Sequence, residues 1–330
     1  MKKKFTIRMM LIMLMLTMST NFAYAGGLFK IVEGISDSTL KSSMERNVNS
    51  LMVAFNTSAN RDNRTVKLSK DYMTIEAIKD VELMWKSSAM RFPPVNIKSR
   101  CLKTARGYQV RGIPMDVIEA GEDEKRQELT IDFLPNGKIY NVSIAIDMHR
   151  YDQIIAENKT DLDFARRQII IDFVENFRTA YNRKDINLIK SVFSDNALII
   201  TGKVITEMPN TDIEKYTLKN DKVIYVKQSK KEYIQRLTSV FKNNKYIDVK
   251  FEDIEVVQHP KYDDIYGVTL KQTWRSNYND EGYLFLLIDF KDQDSPVIHV
   301  RTWQPYKNKQ GQIITKEEDV YHIGSFKIVR

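Results

Sequence analysis

The chain has 330 residues, 42% of them hydrophobic, and contains a single cysteine, Cys101. One cysteine excludes a framework of internal disulfides, and we expect this thiol to be buried packing. The formal net charge of +8 includes four basic residues in the first 25 positions, so the remaining chain has 47 basic against 43 acidic residues, a balance of +4. That balance gives no support for a nucleic-acid partner.

The N-terminal residues have the three features of a secretory signal peptide. Basic residues come first, an apolar run follows at 9–16, and Ala23-Tyr24-Ala25 fits the cleavage site of a signal peptidase. The run is about half of the roughly 20 apolar residues that span a membrane. We therefore predict that residues 1–25 are removed, that the mature protein begins at Gly26 and does not span the membrane, and that it is exported to the periplasm.

After the leader, the remaining length of the chain is typical of two domains, and the first elements follow helical and then strand periodicity. Apolar residues recur at steps of three and four over 44–55 and again over 75–85, which predicts two helices with one apolar stripe each. A strand is predicted over 107–121. A hairpin is predicted over 129–146, because the Pro-Asn-Gly sequence at 135–137 favours a tight turn.

A polar segment at 148–160 is predicted to be a linker, and a second series of elements follows it. Helical spacing over 170–181 predicts a long helix, and Asp185 is placed to begin a short one. The sequence Phe-Ser-Asp-Asn-Ala at 193–197 leads into a strand, with Asp195 interpreted as a turn residue that bonds its own backbone.

The rest of the second series contains a ribbon, a helix and four strands. The Lys- and Tyr-rich stretch at 215–231 is interpreted as a two-stranded ribbon with one solvated face rather than as a nucleic-acid site. Ser229 and Glu232 form a capping box that begins a helix. Strands follow near 251–274, and a second hairpin is predicted over 286–303.

The two series repeat one another. The frame F-x-T-x-x-N-R occurs at 55–61 and at 177–183, at the end of a predicted helix each time, and both hairpins contain Ile-Asp-Phe. The distance from Phe55 to Phe133 is 78 residues, whereas that from Phe177 to Phe290 is 113, a difference of 35. We therefore predict an internal repeat whose first copy is trimmed.

The stretch at 173–200, FVENFRTAYNRKDINLIKSVFSDNALII, carries a family resemblance. A long helix ending in F-x-x-A-Y-N, a short helix headed by Asp and a strand entered through F-S-D-N-A resemble the opening of a nuclear transport factor 2-like domain. That superfamily includes the ketosteroid isomerases and SnoaL-like cyclases. The resemblance covers 161–306 and, in shortened form, 39–147, while PVIHVRTWQP at 296–305 resembles the last strand of exported proteins from Bacteroidetes-like bacteria.

The resemblance implies an α+β fold of two cone-shaped domains, each with helices packed on a curved antiparallel sheet. The first domain is trimmed, and a C-terminal extension follows at 307–330. Domains of this superfamily often pair through an exposed sheet face, so we expect the two copies to pack on each other as an internal pseudo-dimer in a monomeric protein.

Most catalytic chemistries find no support in the sequence. The four histidines are not spaced as metal ligands, and there is neither a phosphate-binding glycine loop nor a G-x-S-x-G elbow. Cys101 has no histidine near it in the sequence. We therefore predict no metal, no cofactor and no nucleophilic catalysis.

Acid–base catalysis of the isomerase kind is the class that the sequence leaves open, since it requires only a pocket carboxylate and a group that stabilises an enolate. Tyr181, Asp195 and Asp289 are its candidates. Asp195 is more simply explained as a turn residue, so no residue is assigned as catalytic.

Two predicted strands indicate a binding surface in the second copy, because alternation places mixed polar and aromatic side chains on one face of each. If these rows point inward, they line a pocket for a small or polymeric ligand, and if they point outward they form a solvated sheet face. With a tyrosine from the end of the long helix, the predicted ligand-binding residues are Tyr181, Gln272, Trp274, His299, Arg301 and Trp303.

We therefore predict an exported, non-enzymatic ligand-binding or envelope-assembly module that works with an envelope ligand or an envelope protein. The alternatives are an isomerase, cyclase or dehydratase in the second domain, and a purely scaffolding pair. The inside of the second domain distinguishes them: an open cavity with a dry carboxylate favours an enzyme, an open cavity without one favours binding, and a filled cavity favours a scaffold. Because the trimmed copy lacks wall elements, any pocket is expected within 161–306.

Overall fold

The computed structural model describes residues 28–59, 65–104, 106–118, 126–146, 151, 161–206, 221–308 and 310–326. The predicted signal peptide lies outside the described residues, as does the predicted linker apart from Tyr151, which is buried. No helix in the described part of the chain is both long and apolar enough to cross a membrane.

In its described residues, the first half of the chain contains two helices and six strands. In chain order they are β1 (Phe29–Glu33), α1 (Ser38–Ala59), α2 (Ile75–Ser87), β2 (Met90–Arg91), β3 (Ile97–Thr104), β4 (Gly107–Val117), β5 (Arg126–Phe133) and β6 (Ile139–Ile144).

The second half contains three helices and six strands in its described residues. In chain order they are α3 (Asp161–Arg183), α4 (Ile186–Val192), β7 (Phe193–Thr206), β8 (Asp221–Gln228), α5 (Lys230–Asn243), β9 (Asp248–His259), β10 (Tyr262–Arg275), β11 (Asn279–Asp289) and β12 (Val297–Pro305).

Each half has its own sheet. The first runs in the order β1-β3-β4-β5-β6, with the short β2 paired to β4, and the second runs β8-β7-β12-β11-β10-β9. The β1–β3 and β7–β12 pairs are parallel, and the other pairs are antiparallel. The predicted α+β fold is confirmed, with helices packed against a largely antiparallel sheet in each half.

Local sequence signals set several element ends. The Thr74 hydroxyl accepts from the Ala77 amide at the start of α2, and the Asp185 carboxylate accepts from the Leu188 amide at the start of α4. Ser229 and Glu232 form the predicted capping box of α5. Such side chains bond amides that a helix leaves unpaired in its first turn, so these helices begin where the sequence predicts.

The second sheet contains the two strands that the first sheet lacks. β7 joins β12 and pairs with β8, which forms the edge of the second sheet. In the first sheet the corresponding edge is β6, where only an isolated bridge between Met73 and Ile139 is described. The 35 residues missing from the first copy therefore correspond to the part of the chain that holds β7 and β8. Of the two-stranded ribbon predicted at 215–231, residues 221–228 form the single strand β8, which pairs with β7, and residues 215–220 lie outside the described residues.

Two local expectations need correction. β1, which pairs in parallel with β3, was not predicted, because its five residues show no long alternation. Asp195 was predicted as a turn residue, but it lies within β7, where its exposed carboxylate accepts from Lys230 Nζ at 2.9 Å. A partner on α5, remote in sequence, takes the place of the expected bond to its own backbone.

Helix α3 is buried on two sides. Its apolar side places Ile170, Val174, Phe177 and Tyr181 in the core of the second half. Its polar side packs on the sheet of the first half, whose outward-facing side chains from β4, β5 and β6 are Gln109, Arg111, Asp132 and Asn141.

A buried ion pair lies at the centre of this contact. The Arg111 guanidinium on β4 bonds both carboxylate oxygens of Glu175 on α3 and lies 3.9 Å from the centroid of the Tyr151 ring. Glu175 also accepts from the Ile146 amide at 2.7 Å. Burial, followed by the nearby Asp132 carboxylate, raises the pKa of Asp172 to about 8, while Arg111, 3.7 Å from Asp172, acts in the opposite direction.

Side chains in the last two turns of α3 form hydrogen bonds and ion pairs with both halves. Arg178 donates to the Val249 carbonyl of the second half at 2.7 Å and to the Ala145 carbonyl and the Gln127 side chain of the first half at 3.0 and 2.8 Å. Arg183 lies 3.3 Å from Asp80. Within the second F-x-T-x-x-N-R frame, Arg183 therefore contacts the first half, whereas the Asn182 side chain accepts from the Val249 amide of its own half.

The first copy of that frame has a different environment. Phe55 is buried like Phe177, but Thr57 is exposed, and Asn60 and Arg61 lie outside the described residues. The Thr179 hydroxyl, by contrast, accepts from the Ile144 amide of the first half at 2.9 Å. The shared frame marks the same structural point in the two halves, while its polar side chains differ in their surroundings.

The halves do not meet through two sheet faces, as the pseudo-dimer expectation required. The first sheet receives α3 on its outer face, and the second sheet's outer face is covered by the C-terminal extension. There Tyr321, Ile323 and Phe326 pack on Phe285 and Val300. Sheet-on-sheet pairing would need two apolar outer faces. The outer face of the first sheet is polar, and it packs on the polar side of α3 instead.

Replacing Arg111 by Met should lower the free energy of unfolding by about 3–5 kcal/mol, because Glu175 would remain buried without its partner. The measurement is equilibrium unfolding in urea. Arg126→Met is the matched control, since Arg126 pairs with Asp116 at 2.8 Å but its side chain is 62% exposed, and we expect it to cost less than about 1 kcal/mol. Equal losses in the two variants would contradict a special role for the buried pair.

Candidate ligand-binding cavity in the second half

A cavity of about 310 Å³ lies in the second half, between the β7–β8 ribbon, α5 and the inner face of β10 and β12. This volume is at the lower end of the range for small-molecule sites. Thr201 and Val204 of β7 and Val226 and Gln228 of β8 form one wall. The strands absent from the first half thus supply part of the enclosure.

Four of the six predicted binding residues come together in this cavity. Gln272 and Trp274 reach it from β10, and Arg301 and Trp303 reach it from β12. Along β10 the predicted alternation holds, because Val268 lies further along the same inner face in the core.

Tyr181 and His299 are placed elsewhere. Tyr181 is fully buried behind the cavity, where its hydroxyl lies 2.6 Å from that of the lining residue Tyr233. His299 lies away from the cavity with its side chain 42% exposed, and its Nε2 is 3.5 Å from Asp289.

A β-bulge in β12 explains the position of His299. Ile288 pairs with Ile298 and Leu287 with Val300, so His299 is the extra residue between them. Ile298 and Arg301 both face inward, which breaks the simple alternation that was assumed for the last strand. The expectation that His299 shares a face with Arg301 is therefore wrong.

Arg301 is a buried cation in the wall of the cavity. The residue is only 6% exposed, its Nε has no partner among the described residues, and none of their carboxylates lies within ion-pair distance. Its guanidinium lies 5.1 Å from the centroid of the Tyr233 ring. Burial acts to lower the pKa of Arg301, but Tyr233 and Tyr181 raise it and the net change is upward, so the group stays charged.

Two further polar atoms of the lining lack partners among the described residues, namely the indole nitrogen of Trp303 and the side-chain oxygen of Gln228. The Trp303 indole lies against Gly282, where a Cβ would stand 2.6 Å from Cε2. Glycine at this position therefore makes room for the indole. These atoms, with Arg301 Nε, belong to three residues of one lining, although buried polar atoms without partners also occur elsewhere among the described residues, for example Arg111 Nε and Trp85 Nε1.

Sequence analysis missed a carboxylate of the lining. Asp280 lies at the start of β11, opposite Trp274. Burial raises its pKa to about 6, a hydrogen bond from the Glu281 backbone opposes this rise, and the charge of Glu281 adds a smaller increase. The sequence Asn-Asp-Glu-Gly at 279–282 is typical of an exposed turn. Only the pairing of Asp280 with Trp274 places the Asp280 side chain against the cavity. Asp195 and Asp289, the acids that were considered, do not line it.

Within the described ranges, no three His, Cys, Asp or Glu side chains form a group that would hold a metal ion. Cys101 is buried, and burial raises the pKa of its thiol to about 11. It behaves as a core residue in the first half, away from the cavity.

The fold and the cavity define an α+β protein with a ligand-sized interior in its second half. No family model matches the chain, and no curated protein matches it. Among solved structures, protein Bd1075 of Bdellovibrio bacteriovorus is 14% identical, with 63% of this chain and 79% of that chain covered and a TM-score of 0.33.

Other matches belong to the superfamily that the sequence resembles. A provisionally assigned dehydratase of the NTF2-like family from Streptomyces avermitilis is 15% identical, with 39% of this chain and 87% of that chain covered and a TM-score of 0.28. A provisionally assigned ketosteroid isomerase from Shewanella frigidimarina is 13% identical, with 41% and 94% covered and a TM-score of 0.28. At these values the likeness concerns the fold and says nothing about activity.

The raised pKa of Asp280 has a measurable consequence for stability. The folded state holds this proton more tightly than the unfolded state does, so the stability that the group contributes below about pH 4 is lost as the pH rises through 6. An Asp280→Asn variant stays neutral. Its advantage over wild type in free energy of unfolding should therefore grow by about 2 kcal/mol between pH 4.5 and pH 7.5, as measured by urea unfolding.

Asp195→Asn is the control for this experiment. Its carboxyl is fully exposed, and the hydrogen bond from Lys230 lowers its pKa. This variant should gain no stability at either pH. A pH-independent difference between Asp280→Asn and wild type would show that the Asp280 carboxyl titrates at its ordinary value.

Proposed function

We propose that the second half binds a small organic anion, with the acidic group of the ligand at Arg301 and its apolar part against Trp274 and Trp303. The observation that carries this proposal is a buried guanidinium without a counter-ion at the wall of an open cavity. Burying a charge costs several kcal/mol unless it is paired. A planar guanidinium fork is well matched to a carboxylate or phosphate.

The other buried arginines support this argument by contrast. Arg111 pairs with Glu175, Arg178 is held by three oxygen acceptors, and Arg183 lies beside Asp80. Each of these cations has oxygen partners within the protein. Arg301 has a side-chain hydrogen bond to Tyr181 but no carboxylate partner among the described residues, so an acidic ligand would supply its counter-ion.

We propose further that the protein works outside the cytoplasm, as a binding or envelope-assembly module. The basic, apolar and Ala-x-Ala features of residues 1–25 support export. The open cavity weighs against the purely scaffolding alternative, which required an interior filled by side chains.

An enzymatic role is the second candidate, and Asp280 is the observation that favours it. A partly buried carboxylate with a pKa of about 6 lines the same cavity as Arg301. Such a group is suited to take a proton from carbon near neutral pH, while Arg301 holds the acidic end of the substrate. An open cavity lined by a partly buried carboxylate approaches the arrangement expected of an isomerase or dehydratase.

The binding proposal predicts opposite stability effects for two buried arginines. Arg301→Met should keep or raise the free energy of unfolding, because it removes an unpaired buried charge, and should weaken binding of 3-phenylpropionate at least about tenfold. Arg178→Met should lower the free energy of unfolding by about 2–4 kcal/mol, because it leaves its acceptors unsatisfied. Urea unfolding and calorimetric titration measure the two effects. Loss of stability in Arg301→Met as large as in Arg178→Met, with no change in binding, would rule out the anion site.

The enzymatic candidate predicts proton exchange that depends on Asp280. Levulinate carries a carboxylate for Arg301 and acidic C–H groups beside a ketone, and its deuterium uptake in D₂O is followed by proton NMR. An enzyme should accelerate this exchange, and Asp280→Asn should slow it by about 100-fold or more. Equal exchange with wild type, with Asp280→Asn and with buffer alone would leave the binding role as the better account.

A further inference from the structure

Two opposite charges stand at the two ends of the cavity. On β11, Leu286 is the residue opposite Arg301, whereas Asp280 is the residue opposite Trp274. The six-residue step from Leu286 to Asp280 corresponds to about 20 Å along the strand. Arg301 and Asp280 both line the cavity, as do the cations Lys203 and Arg236, so Asp280 is the one acidic side chain of the described lining and lies at a distance from Arg301.

Neither charge is neutralised by the protein. No ion pair of Asp280 occurs among the described residues, and its neighbour Glu281 is turned to Lys307, 3.5 Å away. Tyr278 and Arg236 share the rim with Asp280, but Arg236 does not approach it within ion-pair distance. Arg301 likewise has no carboxylate partner. The two ends are therefore separate, uncompensated charges rather than one stretched ion pair.

The wall between the two ends is largely apolar. The Trp274 and Trp303 indoles, together with Val226 and Leu237, line it. Such a wall favours methylene or aromatic groups over a polar spacer, because apolar surface is removed from water on binding.

We infer that the cavity selects a zwitterion with widely separated charges, whose acidic group binds Arg301 and whose ammonium group binds Asp280 across an apolar spacer. This inference rests on the proposed anion site and adds a second point of recognition to it. An α-amino acid, whose two charges share one carbon, is too short to reach both ends. The ligand class is that of ω-amino carboxylates and elongated aromatic amino acids.

A homologous series tests the inference. Straight-chain ω-amino carboxylates of six to twelve carbons are titrated against wild type beside the n-alkanoates of equal length, which lack only the ammonium group. At one best length the ω-amino compound should bind about tenfold more tightly than its alkanoate. The preference should disappear in Asp280→Asn and persist in Glu281→Gln, which removes an adjacent charge that does not line the cavity.

The outcomes separate the two proposals. Alkanoate binding that is lost in Arg301→Met, with no preference for the ω-amino compound at any length, or with a preference that survives in Asp280→Asn, would overturn the inference and keep the anion site. Failure of both series to bind in an Arg301-dependent manner would overturn the anion site itself. A best chain length together with loss of preference in Asp280→Asn alone would establish recognition at both ends.

Discussion

The burial of α3 on both sides is the constraint on which the rest of the molecule depends. One side of the helix completes the apolar core of the second half, and the other carries Glu175 and Arg178 into the first half. A buried ion pair of this kind adds little net stability compared with apolar packing, but its geometry is demanding, since a displaced partner leaves an uncompensated charge. The Arg111–Glu175 pair therefore fixes the position of the helix more than it strengthens the fold.

The same helix positions the cavity. Tyr181, near its C-terminal end, lies 2.6 Å from the hydroxyl of Tyr233 on α5, and the Tyr233 ring lies 5.1 Å from the Arg301 guanidinium. A continuous set of contacts thus runs from the joint between the halves to the charged end of the cavity. Since each contact is between fully or nearly buried groups, the orientation of Arg301 follows from the position of α3.

The buried arginines of the joint and of the cavity differ in their oxygen partners. At the joint, Arg111 pairs with Glu175 and Arg178 is bonded to three oxygen acceptors, although single buried atoms such as Arg111 Nε have no partner among the described residues. At the cavity, the Arg301 side chain is bonded to Tyr181 and has no carboxylate partner among the described residues. A buried cation costs free energy unless an anion is supplied, and this difference is the physical basis for placing recognition in the second half.

The sequence by itself determined the elements that depend on neighbouring residues: the helices of 44–55 and 170–181, the caps at Asp185 and Ser229, both hairpins and the trimming of the first copy. It also placed Gln272 and Trp274 on one face, because alternation depends only on the strand. The bulge at His299, the approach of Asp280 to Trp274 and the Arg111–Glu175 pair were decided by tertiary structure alone. Each depends on register or packing between segments far apart in the chain, which local periodicity does not contain.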